Sequence, residues 1–223
     1  MYTNVKAKLF ILGAAIAMML TTQSTMAAER VGDPYTLDTC AVSGKGLRAK
    51  GEPFVILVEG REYKTCCSKC KEKLEADPSA FVDSVDERII KQQAKHYPLT
   101  TCLISGKPVK EHGEPVNLVV NNRLVQLCCD GCKDKFKADP AKFLAKLDEA
   151  VIEKQDKEYA LKKCPISGEK LGDNAKNIVV GNRLVKLCCA GCEKKVLANP
   201  DKVIAMLDAG KVTTEGSSKK KAE

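Results

Sequence analysis

Apolar positions along the chain switch between two spacings, and the switch happens three times. Short β-branched and aliphatic runs come first: Phe54-Val55-Ile56-Leu57-Val58, then Val116-Asn117-Leu118-Val119-Val120, then Ile178-Val179-Val180. Each run meets a turn pair, Glu59-Gly60, Asn121-Asn122 or Gly181-Asn182, and resumes over residues 61–66, 123–128 or 183–188. Such runs on either side of an Asn/Gly pair predict a tight β-hairpin. The pattern then turns helical. Residues 71–76, 133–138 and 193–198 are helix formers that stop at Asp77-Pro78, Asp139-Pro140 and Asn199-Pro200. A residue before proline is pushed out of the α region, so a first helix ends there. The Asp or Asn is then placed to cap a second helix with proline at its first position. Phe81, Val82, Val85, Ile89 and Ile90 give that helix one apolar face, as do Phe143, Leu144, Leu147, Val151 and Ile152 in the next copy.

The three copies are an internal repeat. Tyr35-x-Leu37-x-x-Cys40, Tyr97-x-Leu99-x-x-Cys102 and Tyr159-x-Leu161-x-x-Cys164 recur with a period of 62 residues. A Ser-Gly pair follows each: Ser43-Gly44, Ser105-Gly106 and Ser167-Gly168. The third copy is shorter before its cysteine cluster, a deletion that a loop tolerates. The predicted fold class is α+β: three small tandem modules, each a Cys turn, a β-hairpin and two helices. The expected boundaries are 33–96, 97–158 and 159–210, followed by a disordered basic tail over 211–223. In the first two modules the second helix is expected to run nearly to Tyr97 and Tyr159, as a semi-rigid spacer. The tyrosines are expected to anchor module packing. Ser43, Ser105 and Ser167 are expected to shape the turns, and Arg61, Arg123 and Arg183 to lie at the surface.

Cysteine changes the picture most. The chain has twelve, all at fixed offsets: Cys40, Cys66, Cys67 and Cys70; Cys102, Cys128, Cys129 and Cys132; Cys164, Cys188, Cys189 and Cys192. Thiols from a tight turn and from a helix start can converge on one ion, and the helix dipole there favours thiolates. That gives three candidate ligands per module: Cys40, Cys66 and Cys70, then Cys102, Cys128 and Cys132, then Cys164, Cys188 and Cys192. The neighbours Cys67, Cys129 and Cys189 complete each site, bind a second soft ion, or stay free. His96 and His112, the only histidines, match no repeat position. All-thiolate sites select Zn2+ or Cu+. Two further readings use the same residues. Four cysteines per module permit two disulfides, and Cys67-x-x-Cys70 with its equivalents is a thiol-redox motif. A thioredoxin-like arrangement would need a βαβ context, which the predicted order lacks.

The start of the chain adds a compartment. Lys6 and Lys8 precede an apolar run over residues 9–20, and small residues follow at Thr25-Met26-Ala27-Ala28. This is a signal-peptide pattern over residues 1–28, with cleavage near Ala27 or Ala28. The run is short of the about 20 apolar residues that span a bilayer. A periplasmic or secreted protein is expected, with no stable membrane insertion after cleavage. The formal charge is +8, charged residues make up 30% and tryptophan is absent. Without stacking aromatics, nucleic acid is not an expected partner. Small modules with few aromatics need staples, metal or disulfide.

The residues also resemble a family. Cys164-Pro-Ile-Ser-Gly168, Leu187-Cys-Cys-Ala-Gly-Cys192 and Asn199-Pro200 are similar to the YHS and TRASH domains, the latter of treble-clef type. Cys102-Leu-Ile-Ser-Gly106, Leu127-Cys-Cys-Asp-Gly-Cys132 and Asp139-Pro140 fit as well, while the first copy has Ser68-Lys69 at the Asp-Gly or Ala-Gly step. The resemblance implies a treble-clef-like metal-binding module, often used in heavy-metal handling, and implies no enzyme activity. The expectation is therefore an exported thiolate protein that binds a soft or borderline metal for sequestration, delivery or sensing. Its alternatives are a disulfide-stapled protein that meets another envelope protein, and a Cys-x-x-Cys redox protein. The expected partners are metal ions and, in the stapled alternative, that envelope protein. No Ser/His/Asp set or phosphate loop stands out, and catalysis is not expected.

Overall fold

The computed structural model describes residues 31–210, so the expected leader and basic tail lie outside the described residues. Three antiparallel hairpins form: β1 (Phe54–Val58) with β2 (Arg61–Thr65), β3 (Val116–Val120) with β4 (Arg123–Leu127), and β5 (Lys176–Val180) with β6 (Arg183–Leu187). Their turns sit where the sequence predicts. Asn121 and Asn122 have φ of 42° and 67°, Gly181 and Asn182 of 59° and 58°. Positive φ at both central residues gives a turn whose twist matches the strands it joins. Glu59 takes the same conformation with φ 50°, although a glutamate gains nothing there.

Two helices follow each hairpin. They are α1 (Ser68–Ala76) and α2 (Ser79–Gln93), α3 (Gly131–Ala138) and α4 (Pro140–Asp156), and α5 (Glu193–Ala198) and α6 (Pro200–Ala209). The first helix starts at the cysteine cluster as expected, with α1 and α3 taking in Cys70 and Cys132; in the third module a 3-10 turn, Ala190–Cys192, precedes α5. Asp139 caps α4 by accepting from Lys142 N (3.2 Å), and Asp77 accepts from Ala80 N (3.3 Å) at the start of α2. Asn199 makes no side-chain cap, because its Oδ1 accepts from Arg48 of the first module (2.7 Å). Gly210 closes α6 in the left-handed region with φ 61°.

Val85 and Ile89 on α2, and Leu144, Leu147 and Val151 on α4, are buried. Each fully buried aliphatic of this kind contributes about 1.5–3 kcal/mol. The helices are not spacers, which corrects the expectation. α2 packs on β3 and β4, and α4 packs on β5 and β6, so the second helix of each of the first two modules is covered by the next hairpin. Gln93, fully buried, donates to Asn122 O (2.8 Å) and accepts from Leu124 N (2.8 Å). Gln155 repeats this one module later, donating to Asn182 O (2.8 Å) and accepting from Leu184 N (2.9 Å).

The arginines after the turns are corrected too. Arg123 is 2% exposed; its Nε donates to Asn182 Oδ1 (2.7 Å) and its Nη atoms to Asp33 and Asp148. Arg61 donates to Asn122 Oδ1 (2.9 Å) and Asp86 (2.5 Å), and Arg183 pairs with Asp208. Each arginine thus ties its own second helix, and the first two also hold the next module's turn. The first and third modules meet as well, through Arg48 with Asp201 and through Lys64 Nζ donating to Ala198 O (2.8 Å). The tyrosines anchor as expected: Tyr97 and Tyr159 hydroxyls accept from Gln126 N and Lys186 N, both at 3.0 Å.

Candidate metal centre

Each lone cysteine sits in a closed knuckle. Cys40 N donates to Lys45 O (2.7 Å) and Gly44 N to Cys40 O (2.9 Å). Cys102 with Lys107 and Gly106, and Cys164 with Glu169 and Gly168, repeat the pair at the same distances. The glycines have φ of 66°, 73° and 74°, a left-handed bend that a side chain would strain. The serines shape these turns as expected, Ser105 Oγ accepting from Lys107 N (3.3 Å) and Ser167 Oγ from Glu169 N (3.2 Å). They also touch the second thiol, which the sequence reading missed. Ser105 Oγ lies 3.2 Å from Cys128 Sγ, Ser167 Oγ 3.2 Å from Cys188 Sγ, and Ser43 Oγ 3.7 Å from Cys66 Sγ. The constant interval from serine to cluster in the first two copies was the signal available.

The second cysteine directly follows the returning strand, and the fourth enters the first helical turn. Their sulfurs approach within 4.0 Å for Cys66 and Cys70, 3.8 Å for Cys128 and Cys132, and 3.9 Å for Cys188 and Cys192. The lone cysteine closes each group. In Cys40-Cys66-Cys70, Cys102-Cys128-Cys132 and Cys164-Cys188-Cys192 all sulfurs lie within 4.8 Å of one another. Three thiol triads are therefore positioned to bind a metal, one per module. The vicinal cysteines stand beside the triads. Cys67 Sγ lies 4.0 Å from Cys66 Sγ, Cys129 Sγ 3.7 Å from Cys132 Sγ, and Cys189 Sγ 3.7 Å from Cys192 Sγ.

These separations discriminate between the chemistries. A disulfide needs sulfurs about 2.05 Å apart, and all twelve cysteines are free thiols. A tetrahedral ion with metal–sulfur bonds near 2.3 Å holds its sulfurs about 3.8 Å apart. The observed 3.7–4.0 Å contacts match the tetrahedral edge.

Electrostatics favour a thiolate at the knuckle. Burial alone would raise the thiols of Cys40, Cys102 and Cys164, but hydrogen bonds from the adjoining serine and backbone amides outweigh it and bring each to about 7. Burial and the neighbouring thiols push Cys70, Cys132 and Cys192 up to about 12. A cation at the centre would lower all three, since coordinated thiols deprotonate outright. The three sites differ in cover. In the second, Cys102, Cys128 and Cys132 are all buried within the module core, which includes stacked Phe136 and Phe143. In the first, Cys40 and Cys66 form a small cluster with Leu47, apart from the main core. No helix among the described residues is long and apolar enough to cross a membrane. Compared with known proteins, the chain matches no family model, no curated protein and no solved structure.

Proposed function

We propose that this is an exported, non-catalytic metal-binding protein that holds a soft or borderline ion such as Zn2+ or Cu+ in each module. It serves sequestration, delivery or sensing. The observation that carries the reading is the triad geometry: three sulfurs from a knuckle, a strand end and a helix start, within 4.8 Å of one another, three times over. Cys40, Cys66 and Cys70 hold the first ion, Cys102, Cys128 and Cys132 the second, and Cys164, Cys188 and Cys192 the third. Cys67, Cys129 and Cys189, which stand just before the first helical turn and beside the triads, supply the fourth ligand. Thiols lose their protons as they become ligands, so loading releases protons and weakens with acid. The resemblance of the cysteine frame to YHS and TRASH modules supports the same reading, and the leader supports a periplasmic or secreted location.

The test is the set Cys40→Ser, Cys102→Ser and Cys164→Ser. Each variant is expected to lose one ion's worth of bound metal relative to the parent, by elemental analysis of protein freed of loose metal. Metal content unchanged in all three, with one newly reactive thiol in each, overturns the reading in favour of staples.

A further inference from the structure

The three large apolar side chains most open to solvent among the described residues all lie on one strand. Phe54, Val55 and Leu57 of β1 are 41%, 57% and 68% exposed. The sibling strands carry Asn117 and Asn177 at the register position of Val55. At the position of Leu57, β3 has Val119, which packs against the first module's core.

The backbone of β1 is open on the same side. Val55 faces Lys64 and Leu57 faces Glu62 across the hairpin. The carbonyls of Lys64 and Glu62 point away from β1, accepting from Ala41 N (2.9 Å) and Asn122 Nδ2 (2.8 Å). Opposed residues of an antiparallel pair point their polar groups either both inward or both outward. The N–H and C=O of Val55 and Leu57 therefore point out from the free edge of this two-stranded sheet. Among the described residues no hydrogen bond reaches them. Phe54 lies on one face and Val55 and Leu57 on the other. A helix laid on either face would cover one set only. A strand added along the edge covers both and satisfies the open polar groups.

We propose that β1 pairs edge to edge with β1 of a second copy of this chain, antiparallel and centred on Ile56. Val55 then lies opposite Leu57 of the second copy, and each such pair exchanges two main-chain hydrogen bonds through the outward groups. The register is self-complementary. The nearest registers that keep outward groups paired are slipped by two residues, and they set Val55 against Glu59 or Leu57 against Pro53, which has no N–H to donate. The two-fold closes on itself, so the pairing stops at two chains. Edges kept from pairing carry lysine, proline or a bulge, and this five-residue strand has none.

The experiment is sedimentation velocity over a wide concentration range on the purified native protein, on Leu57→Lys and on Val55→Pro. Leu57 is exposed, so lysine there leaves the fold intact. Proline at 55 removes an outward N–H that the hairpin does not use. The parent is expected to reach the mass of two chains and to dissociate on dilution. Both variants are expected to stay at one chain at every concentration where the parent is paired, with unchanged circular dichroism. Amide exchange gives a second readout, slow at Val55 and Leu57 in the paired parent and fast in Leu57→Lys. A parent that is monomeric throughout, or a dimer that survives both substitutions, overturns the proposal.

Discussion

Arg123 is the residue with most riding on it. It is 2% exposed and its guanidinium meets Asn182, Asp33 and Asp148, from three separate segments. Burial pushes the Asp148 carboxyl up even though Arg123 pulls it down. Such a pair adds little over an apolar alternative, yet breaking it strands buried charge. Arg123→Met is expected to destabilise the fold by about 3–5 kcal/mol in denaturant titration. Lysine should rescue it only in part, since a single ammonium cannot reproduce the guanidinium fork. His96 offers a pH test. Arg183 Nη1 donates to His96 Nε2 (2.9 Å), so that nitrogen is unprotonated, and burial with the charges of Arg183 and Lys95 lowers the imidazole from 6.5 to about 4. Asp208 opposes the shift without overcoming it. The folded state therefore binds the proton more weakly than the unfolded one. The stability from neutral His96 is full above about pH 6.5 and is lost as pH falls toward 4. His96→Gln, which keeps an acceptor for Arg183, should flatten that part of the stability–pH curve.

At the scale of elements, caps and turns carry most of the local specification. Asp139 is the N-cap of α4, with proline at the first helical position. Asp139→Ala should cost about 1 kcal/mol in thermal unfolding, and Asp139→Ser much less. The hairpins, both helices of each module and their stops at the Pro positions were legible because each has a local cause: β-branched runs, Asn/Gly turns and X-Pro steps. The candidate site was legible for the same reason, since its ligands sit at fixed offsets on those elements. The serine contacts to Cys66, Cys128 and Cys188 were not, because a hydroxyl that shapes a turn and one that also reaches a thiol look alike in sequence.

The whole molecule was the least legible level. Gln93, Asn122 and Asn182 are polar residues with no exposure, which pattern reading assigns to the surface. Their burial depends on partners far away in the chain and in another module, such as Asn182 Nδ2 donating to Leu124 O (3.0 Å) and Gln93 donating to Asn122 O (2.8 Å). The recurrence of Arg61 with Asp86, Arg123 with Asp148 and Arg183 with Asp208 at one interval was the available clue. The consequence is that the modules interlock, the second helices of the first two each clasped by the next hairpin. An ion held at a thiol site in one such module would therefore be coupled to the packing of the next.

The most direct test of the central claim is metal content measured together with thiol accessibility on protein purified from its native compartment without chelator. The account predicts about one ion per module, with thiols that become alkylated only once the metal is stripped. Protein without metal, and without reactive thiols even when unfolded in chelator, would contradict it and make the cysteines covalent staples.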